Sequence, residues 1–345
     1  MQGKPLLVVS NLKTHFATEM GDVTAVDGVS FHIEEGEILG VVGESGCGKS
    51  VTAESILRLH DEKFNTTYEG EIILKGENLL NYPKNKMEDI RGNEISMVFQ
   101  DPMSSLNPVF TIGNQMMEAI LLHQNLSKKQ AYDKAIELLS LTGIPSPESR
   151  INEYPHELSG GMQQRVMIAI GLACQPDLLI ADEPTTALDV TIQAQILDLI
   201  LELNKELKMG VIFITHDLGV VAEICNRVIV MYLGQIVEEA DTETLFEQPL
   251  HPYSSGLLQS VPSMEGDRTQ KLHVIDGNVP SLDSVPKGCR FASRCPFADE
   301  LCLEKMPELK PFKNGSKVRC WHTEKILNEG EREDASTDER TNTHS

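Results

Sequence analysis

Residues 43–50 read Gly-Glu-Ser-Gly-Cys-Gly-Lys-Ser, which fits the pattern G-x-x-x-x-G-K-[ST]. The apolar run Ile-Leu-Gly-Val-Val at 38–42 precedes them, and a helical stretch with Ile56, Leu57 and Leu59 on its apolar side follows. Strand, glycine loop and helix in this order restrict the chain to folds that hold a phosphate at a strand's C-terminal end. Glycines let the backbone curl so that several N–H groups point at one phosphate, and the helix N-terminus adds positive potential. In that arrangement Lys49 reaches the β- and γ-phosphates and Ser50 offers a hydroxyl to Mg²⁺. An unliganded glycine-rich turn is the plainer alternative, and the flanking strand and helix disfavour it.

The rest of the chain supplies an α/β body for this loop. Residues 6–9, 29–33, 70–74 and 95–99 read as strands, and 112–174 as helices only. Strand and helix then alternate: 177–182, 191–207, 210–215 and 217–225, with a hairpin from 227 onward. Such alternation implies a mostly parallel sheet covered by helices, with the helical stretch 101–170 inserted into it. Beyond about residue 245 periodicity fades and prolines at 249, 252, 262, 280 and 286 punctuate a loop-rich extension. The last residues, 329–345, are polar and are expected to be disordered.

Composition excludes several classes. The 345 residues hold 30 Lys and Arg against 52 Asp and Glu, a net charge of −22. Nucleic acid is therefore not an expected partner, because phosphate neutralisation needs clustered basic residues. Hydrophobic residues at 40 % make a packed core available and rule out global disorder. No apolar run approaches the roughly 18 residues of a membrane span. The apolar stretch near Met1 is too short for a secretory signal. Seven cysteines, an odd number, suggest a reducing cytoplasm rather than a disulfide framework.

The strand Asp177-Leu-Leu-Ile-Ala-Asp182 ends in two carboxylates, Asp182 and Glu183. Beside a phosphate loop, Asp182 is the Mg²⁺ candidate and Glu183 the residue that would polarise an attacking water. His216 ends the strand 210–215, which the sequence order places beside the acidic strand, so its imidazole can meet the γ-phosphate. Gln100 ends another strand, where its amide can contact Mg²⁺ or the attacking water. Ser159 caps a helix opening Gly160-Gly161 and including Gln163, a second phosphate-compatible helix tip far along the chain from the first. One nucleotide hardly needs two helix tips from one subunit, which points to a second subunit presenting this helix across an interface.

Together these motifs resemble the nucleotide-binding subunit of ATP-binding cassette (ABC) transporters. Residues 43–50 look like the Walker A motif, 178–184 the Walker B motif with its catalytic Glu183, and Leu-Ser-Gly-Gly-Met-Gln-Gln-Arg at 158–165 the ABC signature. Gln100 in Val-Phe-Gln-Asp-Pro is similar to the Q-loop glutamine, Asp189 in Ala-Leu-Asp to the D-loop aspartate, and His216 to the switch histidine. Phe16 resembles the aromatic that stacks on adenine.

The resemblance, over about residues 5–245, implies a P-loop NTPase cassette: a RecA-like core with an antiparallel β subdomain and an inserted helical subdomain. It implies that Glu183, His216, Lys49 and Gln100 serve catalysis. ATP contacts would fall to Phe16, Gly43, Glu44, Ser45, Gly46, Cys47, Gly48, Lys49, Ser50, Val51, Gln100 and Asp182. Ser50, Gln100 and Asp182 would hold Mg²⁺, while Ser159, Gly160, Gly161 and Gln163 would face the partner subunit's ATP.

The finer resemblance is to the D-type ATPases of dipeptide, oligopeptide and nickel importers, through residues 99–115, 251–258 and 288–302. It implies a cassette at 1–245 and an importer-type extension at 246–328. The partners would be a second ATPase, often a distinct F-type chain, two transmembrane permeases and an extracytoplasmic peptide-binding protein. The chain would then lie on the cytoplasmic side of the cell membrane as a peripheral subunit. Nickel or another small solute is the alternative cargo. A soluble ABC ATPase of DNA repair or translation is disfavoured by the single cassette and short helical insert.

Cys289, Cys295, Cys302 and Cys320 are spaced C-x₅-C-x₆-C-x₁₇-C, without the C-x₂-C pair of a zinc ribbon. Four thiolates suit Zn²⁺ or a [4Fe–4S] cluster, and free thiols are a third reading. The importer resemblance implies the [4Fe–4S] cluster, in a structural role.

Overall fold

The computed structural model describes residues 5–19, 21–63, 65–186, 189–260 and 275–327. The expected polar tail at 329–345 lies outside them, as do Ala187 and Leu188 of the Ala-Leu-Asp turn. Two sheets carry the fold. In the smaller, β1 (Leu7–Thr18) and β2 (Gly21–Ile33) form an antiparallel ribbon. β3 (Ile38–Val42) and α1 (Lys49–Ile56) then enter the larger sheet, before β4 (Thr66–Leu74) and the short β5 (Glu77–Asn78) complete the smaller one. α2 (Lys84–Ile90) and β6 (Ile95–Val98) follow.

Five helices come next: α3 (Pro102–Ser105), α4 (Ile112–His123), α5 (Lys128–Leu141), α6 (Pro147–Arg150) and α7 (Gly160–Gly171). Their starts are written locally. The Thr111 hydroxyl accepts from the Asn114 N–H at the head of α4, and Ser127 with Gln130 forms a capping box at α5. This is the expected insertion. Its last helix returns to the body where Gly171 lets α7 approach Ser96 and Val98 of β6. The insertion does not carry its own core, since Met116, Ile120 and Leu139 pack in one cluster with Val211 and Phe213.

β7 (Leu178–Asp182), α8 (Val190–Leu207), β8 (Gly210–Ile214), α9 (Leu218–Ile224), β9 (Arg227–Tyr232) and β10 (Gln235–Asp241) complete the alternation. Strands β6, β7, β8, β3 and β9 lie side by side in that order, all parallel, and β10 folds back antiparallel on β9. β3, β7 and β8 are buried along their whole length. Leu39 and Val41 of β3 face the core shared with the small sheet, whereas Ile38 and Val42 face the helical side. That alternation is the period of two that puts successive side chains on opposite faces.

The C-terminal part holds α10 (Thr242–Glu247), α11 (Pro252–Gln259), α12 (Glu300–Glu304), β11 (Lys310–Pro311) and β12 (Lys317–Val318). The boundary expected at 245 falls inside α10, and β12 extends the large sheet by pairing Val318 and Lys317 with Glu238 and Glu239 of β10. The buried Glu238 carboxylate accepts the Leu250 N–H at 2.7 Å and the His251 N–H at 2.9 Å. Phe291 packs against Tyr232, Tyr253 and His251, with ring centroids 5.2, 5.3 and 5.7 Å away. No helix among the described residues is long and apolar enough to cross a membrane.

His251 is fully buried, and its Nδ1 accepts the Tyr253 N–H at 3.1 Å. Burial, with the positive charge of Arg319 nearby, pushes the imidazole down from 6.5 to about 3. The folded chain therefore holds a neutral ring where the unfolded chain takes up a proton. The stability this contributes is complete above pH 6.5 and is lost as pH falls toward 3. We expect the thermal unfolding midpoint to fall between pH 6.5 and pH 4, and the His251→Gln variant to show a shallower fall, measured by calorimetry across that range.

Candidate functional site

The loop between β3 and α1 is shaped by what surrounds it. Gly43 has φ +151°, and a β-carbon there would collide with the Met231 carbonyl oxygen and the Cys47 sulfur. Gly48 has φ +98°, and its β-carbon would lie 2.8 Å from the Ala25 oxygen. Gly46, with φ +78°, has open space around it, so its backbone is the approachable one. Lys49 is buried and arches back over the loop, its Nζ donating to the Gly43 oxygen at 2.9 Å and the Glu44 oxygen at 3.2 Å. The Cys47 side chain is wholly buried, so only its backbone faces the loop, with its N–H bonded to the Glu44 oxygen at 3.3 Å.

Asp182, at the end of β7, is buried beside Ser50. Its Oδ1 is a buried acceptor with no partner. Burial pushes the carboxyl above its ordinary value; the nearby Ser50 hydroxyl and the Lys49 charge oppose this, and Glu183 and Glu54 add to it. A cation beside Ser50 would satisfy the orphaned oxygen and reverse the cost of burying the charge.

Parallel pairing brings the next residues together. Glu183 adopts a left-handed φ of +46°, and its N–H donates to the Ile214 oxygen at 2.9 Å. Its Oε2 receives Gln100 Nε2 at 2.9 Å and Thr186 Oγ1 at 3.0 Å, with His216 Nδ1 at 3.3 Å. The ends of three adjacent strands, β6, β7 and β8, thus converge on one carboxylate oxygen. Gln100 is exposed and the His216 side chain is 62 % exposed, against 15 % for Glu183.

Ser159 caps α7, its Oγ accepting the Met162 N–H at 3.4 Å. Gly161 packs on Ile192 of α8, where a β-carbon would come within 2.9 Å, whereas Gly160 has nothing near it. Ser159, Gly160 and Gly161 line an open cleft of about 510 Å³ with Arg165 and Asp189. Asp189 Oδ1 also caps α8 by accepting the Ile192 N–H at 3.0 Å. Among the described residues no hydrogen bond or ion pair joins this cleft to the phosphate loop. Gln163 departs from expectation. It is buried, and its amide donates to the Pro155 oxygen at 2.7 Å and the Leu158 oxygen at 3.3 Å, so it braces the turn before α7 instead of facing outward. Phe16 stands edge-on to His60 at 4.9 Å and does not join the cluster around Glu183.

Sequence reasoning missed the contribution of the C-terminal part. Tyr253 Oη accepts the Glu44 N–H at 2.8 Å, and Arg294 grips the Glu44 carboxylate with two bonds of 2.6 and 3.0 Å. Glu44, expected to contact ATP, therefore has both its backbone N–H and its side chain engaged by the extension. Arg290 bonds Asp27 and the Leu233 oxygen. Two arginines inside the six residues from 290 to Cys295 were the available signal.

Burial raises the Cys289, Cys295, Cys302 and Cys320 thiols; neighbouring cysteines add to this at Cys289, Cys295 and Cys320, Asp299 adds to it at Cys302, and Cys295 is pushed up to about 11. The His322 N–H lies 3.3 Å from Cys320 Sγ, and the Ala292 N–H donates to the Cys289 carbonyl oxygen at 3.0 Å. The tightest set of potential metal ligands among the described residues is Asp299, Cys302 and His322, within 4.8 Å of one another. In it, His322 Nε2 lies 3.0 Å from Asp299 Oδ2.

Fold and loop define the class, an ATPase built on a phosphate loop. The family model described as ABC transporter matches residues 26–186, and the oligopeptide/dipeptide transporter C-terminal region matches 237–302. The chain is 54 % identical to a probable peptide ABC transporter ATP-binding protein, y4tR, of Sinorhizobium fredii, over 95 % of this chain and 99 % of that one. It is 52 % identical to the oligopeptide transport ATP-binding protein AppD of Bacillus subtilis, over 92 % of this chain and 96 % of the relative. Among solved structures, the dimeric post-hydrolysis state of the ATP-binding cassette MJ0796, bound to ADP and Pi, aligns at TM-score 0.62 and 28 % identity, covering 68 % of this chain and 98 % of that one. The chain belongs to the ABC transporter ATP-binding family, in the branch that carries the oligopeptide/dipeptide C-terminal region.

The loop geometry makes a direct test available. Gly43→Ala should cost about 3 kcal/mol or more, because strain at positive φ adds to a clash with backbone that cannot move away. Urea unfolding of the variant against the parent measures it.

Proposed function

We propose that this chain is the ATP-hydrolysing subunit of a peptide importer, working at the cytoplasmic face of a membrane. The support is the convergence of Gln100, Glu183 and His216 beside the buried Lys49 and the unpartnered Asp182 oxygen. In this reading the loop from Ser45 to Ser50 cradles the phosphates, Val51 and Phe16 lie toward the rest of the nucleotide, and Lys49 swings from the Gly43 and Glu44 oxygens to the triphosphate. Ser50, Asp182 and Gln100 would hold Mg²⁺, which when bound would supply charge neutralisation at the phosphates. Glu183 takes the proton-accepting role toward the attacking water, and His216 steadies the γ-phosphate.

Ser159, Gly160 and Gly161 expose a helix tip with its N–H groups unclaimed by a side chain of this subunit beyond the Ser159 cap. That tip, with Asp189 beside it, serves the nucleotide of a second ATPase, an F-type chain or a second copy. Two permeases and an extracytoplasmic binding protein complete the assembly, with residues 1–245 as cassette and 246–328 as extension. Peptide cargo is supported by the names of the relatives, and binding energy for ATP closes the pair while product release reopens it.

The four cysteines suit a [4Fe–4S] cluster in a structural role. Zinc–sulfur bonds of about 2.3 Å put tetrahedral thiolates about 3.8 Å apart. Among the described residues these thiols do not gather into a set within 4.8 Å, and an N–H···S bond like that from His322 to Cys320 stabilises a thiolate on a cluster. Bound there, the cluster would cross-link the ends of the extension.

Glu183→Gln should keep nucleotide affinity and lower turnover by about 100-fold or more, the contribution of a positioned base. ATPase rate and nucleotide binding in the reconstituted complex check this, and turnover at the parent rate rejects the assignment. Anaerobic purification should yield iron and sulfide at about four each per chain, lost in Cys320→Ser; stoichiometric zinc without iron rejects the cluster.

A further inference from the structure

Glu44 places a carboxylate on the phosphate loop itself, one residue from Ser45, and that carboxylate is about one-third exposed. Unbalanced, it would repel the phosphates the loop is built to receive. Its counter-charge comes from 250 residues away. The Arg294 side chain is only 3 % exposed and every donor of its guanidinium is used. Nη1 serves Glu44 Oε2 at 2.6 Å and the Tyr232 hydroxyl at 3.4 Å, Nη2 serves Glu44 Oε1 at 3.0 Å and the Ile275 oxygen at 3.3 Å, and Nε serves the Asp276 oxygen at 2.9 Å. Its carbon lies 5.8 Å from the Tyr232 ring centre and 5.9 Å from that of Phe291. A group held on all sides in this way does not swing to a ligand; it fixes what it holds. Tyr253 holds the same residue by its backbone N–H.

We propose that Arg294 is a positioning residue for nucleotide binding: the extension supplies the charge that neutralises Glu44 and the clamp that keeps this side of the phosphate loop in place. The inference rests on the reading of that loop as the ATP site. Its consequence is that the extension tunes ATP affinity without touching ATP. The cradle of N–H groups begins at Ser45, and Glu44 is a post to which the loop is tied.

The test uses the full chain and a fluorescent ATP analogue, mant-ATP with Mg²⁺, for affinity, and the reconstituted complex for turnover. Arg294→Met should weaken affinity about tenfold while turnover at saturating ATP stays within about twofold. Adding Glu44→Gln should restore affinity to within about threefold of the parent, because the charge that needed balancing is gone. Unchanged affinity in Arg294→Met, or no recovery in the double variant, overturns the proposal, since a packing role would be insensitive to the second change. Should Arg294→Met fail to fold, Glu44→Gln alone decides: with the guanidinium left unbalanced, affinity should tighten at least twofold, and equal or weaker binding overturns the proposal. Lys49→Ala separates the two readings. Normal affinity there rejects the loop as the ATP site, whereas lost affinity there with normal affinity in Arg294→Met rejects the Arg294 role alone.

Discussion

Two backbone oxygens decide the shape of the site. The carbonyls of Met231, at the end of β9, and Ala25, in β2, press on the loop from two sides and leave no room for side chains at Gly43 and Gly48. The loop is thus wedged between the large sheet and the small one, with β3 as its stem. Because β3 lies between β8 and β9, everything the loop can hold sits over the middle of a parallel sheet, where all strands end on the same side. The helix behind the loop is clasped from the other flank by Thr14, whose hydroxyl bonds Ser55 at 2.8 Å.

Register does the remaining work. Asp182 pairs with Ile214 and Ala181 with both Val98 and Phe213, so β6, β7 and β8 end within about a residue of one another. A polar residue just beyond each strand then arrives at the same place without any long loop to steer it. This is why a glutamine, a glutamate and a histidine separated by up to 116 positions can share one oxygen.

The same physics explains what was legible in the sequence. Strand–loop–helix at 38–56, the two carboxylates after an apolar strand, and Gln100 and His216 at strand ends are local patterns, and topology carried them together. Contacts that depend on where a poorly periodic segment lands were not legible. Arg294 on Glu44, Tyr253 on the Glu44 N–H and the buried Glu238 on the Leu250 and His251 N–H groups join residues with no pattern in common. The boundary at 245 runs through α10 and not between elements for a related reason. A fading pattern of hydrophobicity marks where regular elements become short, and β12 shows that short elements still extend the parent sheet. Gln163 misled because a glutamine two residues beyond a glycine pair looks outward in one dimension, while the helical turn points it inward.

Glu183 Oε2 presents a matter of counting. A carboxylate oxygen has two lone pairs, and Gln100, Thr186 and His216 all approach this one within 3.3 Å. Gln100 and Thr186 occupy both by hydrogen bonds, and His216 stands by as a third polar neighbour. Any water molecule that enters to be held there must evict a tenant, and the two candidates for eviction with the longest reach belong to different strands. Gln100 is the gateway to the helical insertion, so losing its seat would be felt along α3 and beyond, whereas losing His216 would be felt at the head of α9. The order of departure would then decide which part of the molecule first learns that the site is filled.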